Sequence, residues 1–234
     1  MAENAETNPR ERAATHAPTD TWDPALYRRF AAERRQPFDD LLSVIDPAPG
    51  GRAVDLGCGP GELTVDLHRH VGAVTTIGVD SSAAMLDQTR PHAGGGVSFE
   101  LGDLASWEPV EPLDVIAANA SFQWVPDHPA LLVRLTDMLN PSGQLAFQVP
   151  ANVDHPTHVL ADTVGQRYGV PPVGSFEAVL TPERYAAILD DLGVVDLHVR
   201  LQVYVHHLPS TDAVIDWVSG TLLTEHRRQL EPDR

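Results

Sequence analysis

The chain has 234 residues, of which 33 are acidic and 16 basic, giving a formal net charge of −17, and 42% of its residues are hydrophobic. That is enough apolar material for one core of ordinary size, and so negative a field makes the chain a poor candidate for wrapping a nucleic-acid backbone or an anionic membrane surface. Every basic residue is an arginine and the single cysteine is Cys58, which excludes Schiff-base lysine chemistry, an internal disulfide and a zinc–cysteine cluster.

Residues 1 to about 20 are rich in Ala, Thr, Glu, Asn and Pro. They cannot bury enough apolar surface to offset ordering, so a disordered leader is expected. No secretory signal pattern is visible, and no apolar run approaches the roughly 18 residues of a membrane span. The expected setting is the cytoplasm. The remainder, 21–234, reads as one domain: a helical cap over 21–46, a core over 52–149, and helices with a sixth strand over 150–234.

From Trp22 to Ile45, apolar residues recur at spacings of three and four, which predicts helix, with Pro37 separating two helices or opening the second. Alternating strands and helices follow. Strands are predicted over 53–56, 74–79, 97–101, 113–118 and 144–149, and helices over 62–71, 83–89 and 130–139. Asn140-Pro-Ser-Gly143 is expected to end the last of these helices. Repeated strand–helix units imply a doubly wound, mostly parallel α/β sheet covered on both faces. Further helices are predicted over 157–168, 181–192 (with Thr181 as N-cap) and 211–220. Between them, Val195, Leu197, Val199, Leu201, Val203 and Val205 alternate, which predicts a long strand over 194–207.

Asp55-Leu-Gly-Cys-Gly-Pro-Gly61 is the most informative stretch. It follows a strand and precedes a helix, where glycines let a ligand approach the backbone. Its G-x-G-x-G spacing departs from the dinucleotide fingerprint G-x-G-x-x-G, which argues against a nicotinamide oxidoreductase. Asp80 closes the second strand, Asp103 follows the third and Asn119 follows the fourth. Each is a common turn residue taken alone. As an ordered set at the carboxyl ends of parallel strands, they mark a ligand site.

The order Asp55 to Gly61, Asp80-Ser81-Ser82, Gly102-Asp103 and Asn119-Ala120 resembles the class I S-adenosylmethionine-dependent methyltransferases. The flanking pieces Trp22–Tyr27, Glu33-Arg34, Asn119–Trp124, Pro126–His128, Gln148-Val-Pro, Pro156–His158 and Asp216-Trp217 resemble, within that family, the trans-aconitate 2-methyltransferases. The resemblance implies a Rossmann-like fold and S-adenosyl-L-methionine as cofactor, released as S-adenosyl-L-homocysteine. It implies cofactor contacts from Asp55, Gly57, Gly59, Gly61, Asp80, Ser81, Met85, Asp103, Leu104 and Asn119. On the acceptor side it implies Tyr27, Arg34, Gln123, Trp124, His158 and Trp217, with His128 a further pocket candidate and Arg35 a second cation.

The implied reaction is methyl-ester formation on a carboxylate of trans-aconitate or a similar small polycarboxylate. No general base and no metal are assigned, because a carboxylate is already ionised at neutral pH. Cys58 is read as a small loop residue and not a nucleophile. The alternatives are a methyltransferase of the same fold acting on another small-molecule or acyl-carrier acceptor, and an inactive cofactor-binding truncated homologue. Family members usually add a last antiparallel strand beyond the position of Arg234, so that strand is expected to be missing here. The expected partners are the small carboxylate substrate alone, with neither nucleic acid nor membrane, and the expected state is a monomer or weak dimer.

Overall fold

The computed structural model describes residues 31–172 and 178–219, together with Leu223, His226 and Leu230, and for 31–34 the backbone alone. The expected leader, most of the first cap helix, Tyr27, and the side chain of Arg34 lie outside the described residues.

Five strands form one sheet in the order β3-β2-β1-β4-β5. They are β1 (Arg52–Leu56), β2 (Thr75–Asp80), β3 (Val97–Leu101), β4 (Leu113–Asn119) and β5 (Leu139–Gln148). All four pairings are parallel. Strand order reverses between β1 and β4, so the connections leaving these two strands diverge to opposite faces and open a crevice at their carboxyl ends.

The strand sequences explain the two-sided burial. Alternate residues point to opposite faces. Val54, Leu56, Ile116 and Ala118 enter one core cluster, together with Phe122, Leu131 and Leu135. Ala53, Val115 and Ala117 enter the other, with Phe38, Ile45, Leu67 and Val71. Helix α1 (Ala31–Leu42) supplies Phe38, and α2 (Glu62–Val71) supplies Leu67 and Val71 to that second cluster. Pro37 lies inside α1 and does not divide it into two helices. The missing N–H weakens one turn, while Phe38 beside it is almost wholly buried and anchors the helix.

Helix α3 is a single turn over Ala83–Leu86, capped by Ser82, and is shorter than the predicted 83–89. Helix α4 runs His128–Asp137. It starts two residues before the predicted position because the Asp127 side chain accepts from the Ala130 N–H, 3.1 Å away, and Pro129 suits the first turn. The Asn140–Gly143 turn does not precede β5. It is absorbed into that strand as an irregularity, with Leu113 opposite Leu139 and Val115 opposite Gln144. Helices α5 (Pro156–Arg167), α6 (Pro182–Asp191) and α7 (Thr211–Ser219) follow.

The sixth strand predicted over 194–207 does not form. That segment pairs with no strand among the described residues. Its alternating apolar side chains are exposed, Val195 at 79% and Val205 at 76%. Alternation marks a strand only where a ladder satisfies its backbone and one face is covered. Neither condition is met here.

Candidate functional site

The crevice is built from the ends of β1, β2, β3 and β4. The loop after β1 is held against β2: the Gly57 and Cys58 N–H groups donate to the Val79 carbonyl, at 2.8 and 3.0 Å. Gly59 N–H donates to Asp80 Oδ2, 2.8 Å away, and Ser82 N–H donates to Asp80 Oδ1 at the same distance. Two backbone donors thus fix the orientation of the Asp80 carboxylate. Ser81, between them, is exposed at the crevice rim.

The three loop glycines serve different ends. All have positive φ. A side chain at Gly57 would place its Cβ 2.3 Å from Ser121 Cβ, and one at Gly61 would meet the Phe99 ring at 2.7 Å. These two are required by packing. A Cβ at Gly59 would meet nothing within 4 Å, so Gly59 faces open space with its backbone bare, as a ligand cradle requires.

Asp55 is buried beneath the loop and accepts from the Thr64 hydroxyl, 2.6 Å away. Burial pushes its pKa up to about 6, against the lowering effect of that hydrogen bond. Thr64 occupies the buried stripe of α2 with Leu67 and Val71. The Cys58 thiol is buried, and desolvation, reinforced by the Asp55 and Asp80 charges, raises its pKa far above the ordinary value. It has no thiolate character at neutral pH.

Gly102 N–H donates to the Asp80 carbonyl, 3.0 Å away, which brings Asp103 alongside the end of β2. Asp103 is exposed and turns the chain by accepting from Ala105 N–H through Oδ1, at 2.9 Å. Leu104 packs against the first core cluster. Met85 is almost wholly buried on α3.

The β4 exit is clamped to the β1 exit. Ser121 Oγ donates to the Leu56 carbonyl at 2.6 Å, which is why Gly57 has no room for a side chain. Ala120 takes a positive φ of 52° and donates its N–H to the Gln148 carbonyl, 2.9 Å away. Asn119 and Gln148 lie side by side in register. Gln123, on the short 3-10 turn Phe122–Trp124, is buried and donates from Nε2 to the Ala120 carbonyl at 2.7 Å.

Four buried side-chain oxygens have no hydrogen-bond partner among the described residues: Asn119 Oδ1, Gln123 Oε1, Gln148 Oε1 and Asn152 Oδ1. All belong to the exits of β4 and β5. A buried unpaired polar atom costs roughly 1–3 kcal/mol. Four in one region fit a surface whose partners arrive with a ligand. Neutral acceptor oxygens suit a cationic sulfonium and its ammonium group, and an amide can also present its NH2 to a carboxylate.

The other acceptor-side candidates lie on separate elements. Trp124 is half-buried beside Gln123. His158 is buried on α5, where Thr157 Oγ1 lies 3.3 Å from its Nδ1, and burial together with the neighbouring His155 lowers its pKa. Trp217, on α7, packs against His206 with ring centroids 5.1 Å apart. Arg35 is committed elsewhere, to Asp66 at 2.8 Å and Asp39 at 3.3 Å. His128 is 1% exposed, its ring bonded to Tyr185 and to the Phe122 carbonyl. Among the described residues, no cluster of three His, Cys, Asp or Glu is placed to hold a metal.

Sequence reasoning missed Thr64 and Asn152 as members of this region. Only Thr64 carried a local signal, a polar residue in a helix stripe that is otherwise apolar.

A parallel sheet in this strand order, with bare glycine backbone in the loop after its first strand and an oriented acidic residue closing the next, fits a class I S-adenosylmethionine-dependent methyltransferase. Residues 53–143 match the family described as Methyltransferase domain. A trans-aconitate 2-methyltransferase of Deinococcus radiodurans is 39% identical over 220 residues, spanning 90% of this chain and 84% of that protein. The Streptomyces coelicolor trans-aconitate 2-methyltransferase is 45% identical over 213 residues, spanning 86% and 70%. The chain belongs to the trans-aconitate 2-methyltransferase family. Among solved structures, the complex of the Haloferax volcanii Trm112 methyltransferase activator with a putative methyltransferase matches at a TM-score of 0.55 and 18% identity, over 71% of each chain. That likeness shows the fold.

Proposed function

We propose that this enzyme transfers a methyl group from S-adenosylmethionine to a carboxylate oxygen of trans-aconitate or a closely similar small polycarboxylate, giving a methyl ester and S-adenosylhomocysteine. Identity of 39–45% to trans-aconitate 2-methyltransferases across most of the chain supports that acceptor. The observation that carries the reading is the cluster of unpartnered amide oxygens at the β4 and β5 exits, next to the glycine cradle.

When bound, the cofactor supplies an electrophilic methyl on a cationic sulfur. Asp80, with Ser81, takes the ribose hydroxyls. Asp103 takes the adenine amino group, with Leu104 and Met85 against the ring. The backbone of Gly57, Gly59 and Gly61 would hold the methionine part, with Asp55 serving its ammonium group and the Asn119 oxygen its sulfonium. Gln123, Trp124, His158, Trp217, Tyr27 and Arg34 orient the acceptor, with Arg34 as the cation for one carboxylate. The attacking carboxylate is ionised at neutral pH, so no residue has to remove a proton. The chain's contribution is alignment and exclusion of water; alignment of bound reactants can lower a barrier by roughly 7–11 kcal/mol.

The test is release of S-adenosylhomocysteine with and without trans-aconitate, with the product weighed for one added methyl. Acceptor-dependent release and a monomethyl ester are expected. Cofactor binding without product overturns the acceptor, and an acyl-carrier thioester assayed in parallel identifies the competing class. Arg34→Ala is expected to raise the KM for trans-aconitate at least tenfold while leaving the S-adenosylhomocysteine Kd unchanged. An unaltered KM removes Arg34 from the acceptor site.

A further inference from the structure

His128 and Tyr185 are 57 positions apart in sequence and meet in the interior, 1% and 5% exposed. Their hydrogen bonding forms a closed chain. Leu180 N–H donates to the Tyr185 hydroxyl, 3.2 Å away. That hydroxyl is bonded to His128 Nδ1. His128 Nε2 lies 2.9 Å from the Phe122 carbonyl. A carbonyl only accepts, so Nε2 must carry the proton. Nδ1 of the neutral ring is then an acceptor, and the tyrosine hydroxyl, already accepting from Leu180, donates to it. With the ring neutral, this polarity satisfies every member.

The recipient is the turn that carries the acceptor side of the crevice. Phe122 opens the 3-10 turn that positions Gln123, and Gln123 in turn bonds the Ala120 carbonyl. Among the described residues, the non-glycine residues with positive φ are Ala120, Asp127 and Asp196. Two of these three bracket this segment. Such backbone is strained and persists only where its surroundings over-determine it. The ring cluster supplies that constraint: Phe122 stacks on Phe147 with centroids 5.1 Å apart, and Phe147 meets Tyr185 edge-on at 5.3 Å. Asp127 is engaged at the α4 N-terminus through Ala130 N–H.

We infer that His128 and Tyr185 are positioning residues for methyl transfer: acting through the Phe122 carbonyl, the neutral Nε2–H imidazole holds the Asn119–Trp124 turn so that the Asn119 and Gln123 oxygens face the reacting groups. This rests on the acceptor-side reading of that turn given above. It predicts that breaking the chain lowers turnover with little change in the binding of S-adenosylhomocysteine, whose other contacts are proposed on β1, β2 and β3 and which lacks the sulfonium that Asn119 serves.

The experiment uses the full chain as wild type, Tyr185→Phe, His128→Leu and His128→Gln. A glutamine NH2 reaches about as far as Nε2 and donates to the same carbonyl. Tyr185→Phe and His128→Leu are expected to lower kcat at least tenfold, with the S-adenosylhomocysteine Kd within about twofold of wild type, and His128→Gln is expected to recover most of kcat. A merely structural histidine would show no such split between leucine and glutamine. Nitrogen-15 NMR of the labelled imidazole should show the Nε2–H tautomer at neutral pH, and the Val125 amide, bonded within the turn to the Phe122 carbonyl, should exchange faster in the two disruptive variants. Full kcat in Tyr185→Phe, or a ring protonated on Nδ1, overturns the inference. The NMR and exchange readouts need no acceptor. A wild type inactive on trans-aconitate therefore overturns the acceptor reading alone and leaves these two measurements to decide this one.

Discussion

Asp55 illustrates how burial sets the chemistry of one side chain. Its carboxyl is desolvated beneath the glycine loop, and its pKa rises to about 6. A folded value above the unfolded one favours the neutral acid in the native state. The associated stability is fully present below the unfolded pKa, near 4, and is lost as pH rises through about 6; two units correspond to roughly 3 kcal/mol. Asparagine cannot ionise, so Asp55→Asn is expected to gain stability relative to wild type between pH 4 and pH 8, read from denaturant midpoints at both. The cofactor contact proposed for Asp55 works in the opposite direction. A bound ammonium favours the carboxylate, so wild-type affinity for S-adenosylhomocysteine should rise from pH 5 to pH 7, while Asp55→Asn shows a flat calorimetric profile over that range. A rising profile in the variant would assign the titration to another group. Two positions on in sequence, Gly57→Ala meets Ser121 Cβ at 2.3 Å and adopts a φ of +81°. It is expected to cost more than about 1 kcal/mol and to weaken S-adenosylhomocysteine binding at least tenfold. Ser121→Gly on that background relieves the clash but not the backbone strain, so it should restore stability only in part.

Elements were legible where local chemistry and tertiary demand agree. Helix α2 begins after Gly61 and ends at Gly72, both left-handed, over the predicted bounds, and its stripe of Thr64, Leu67 and Val71 is buried. The acidic closures of the strands were legible for a related reason, since polar residues ending apolar runs have few other places to go. The clamp from Ser121 to Leu56 was not, because its two ends lie 65 residues apart and a serine in a turn has ordinary uses. The Asn140–Gly143 turn was recognised, but its absorption into β5 depends on β4 as neighbour. The failure at 194–207 is the most instructive. Alternation there specified a face, and no ladder among the described residues uses it. Backbone amides without partners exchange freely. The amides of 195–203 are therefore expected to exchange near their intrinsic rates, while those of Val54 and Ile116 in the sheet centre stay protected by several orders of magnitude. Strand-like protection across 195–203 would show that the segment pairs in solution.

At the scale of the whole molecule, charge and function pull against each other. The enzyme carries −17, and the proposed acceptor carries three carboxylates. Arg35, one of the cations nearest the cap in sequence, is spent on Asp66 and Asp39. Approach of a trianion to such a body is opposed at long range, and the local donors proposed for the acceptor site, the amides and Arg34, would favour it once it arrives. The screening length falls from about 30 Å at 0.01 M salt to about 8 Å at 0.15 M. The distant repulsion is removed over that interval, whereas contacts within a few ångströms in a partly buried site are screened much less. The kcat/KM for trans-aconitate should consequently rise several-fold between these two ionic strengths, mainly through KM. The affinity for S-adenosylhomocysteine, a zwitterion with no net charge, should hardly change and serves as the internal control. A fall in kcat/KM over the same interval would mean that a local field of arginines outweighs the body of the protein, and would direct attention to the cap as the entry path.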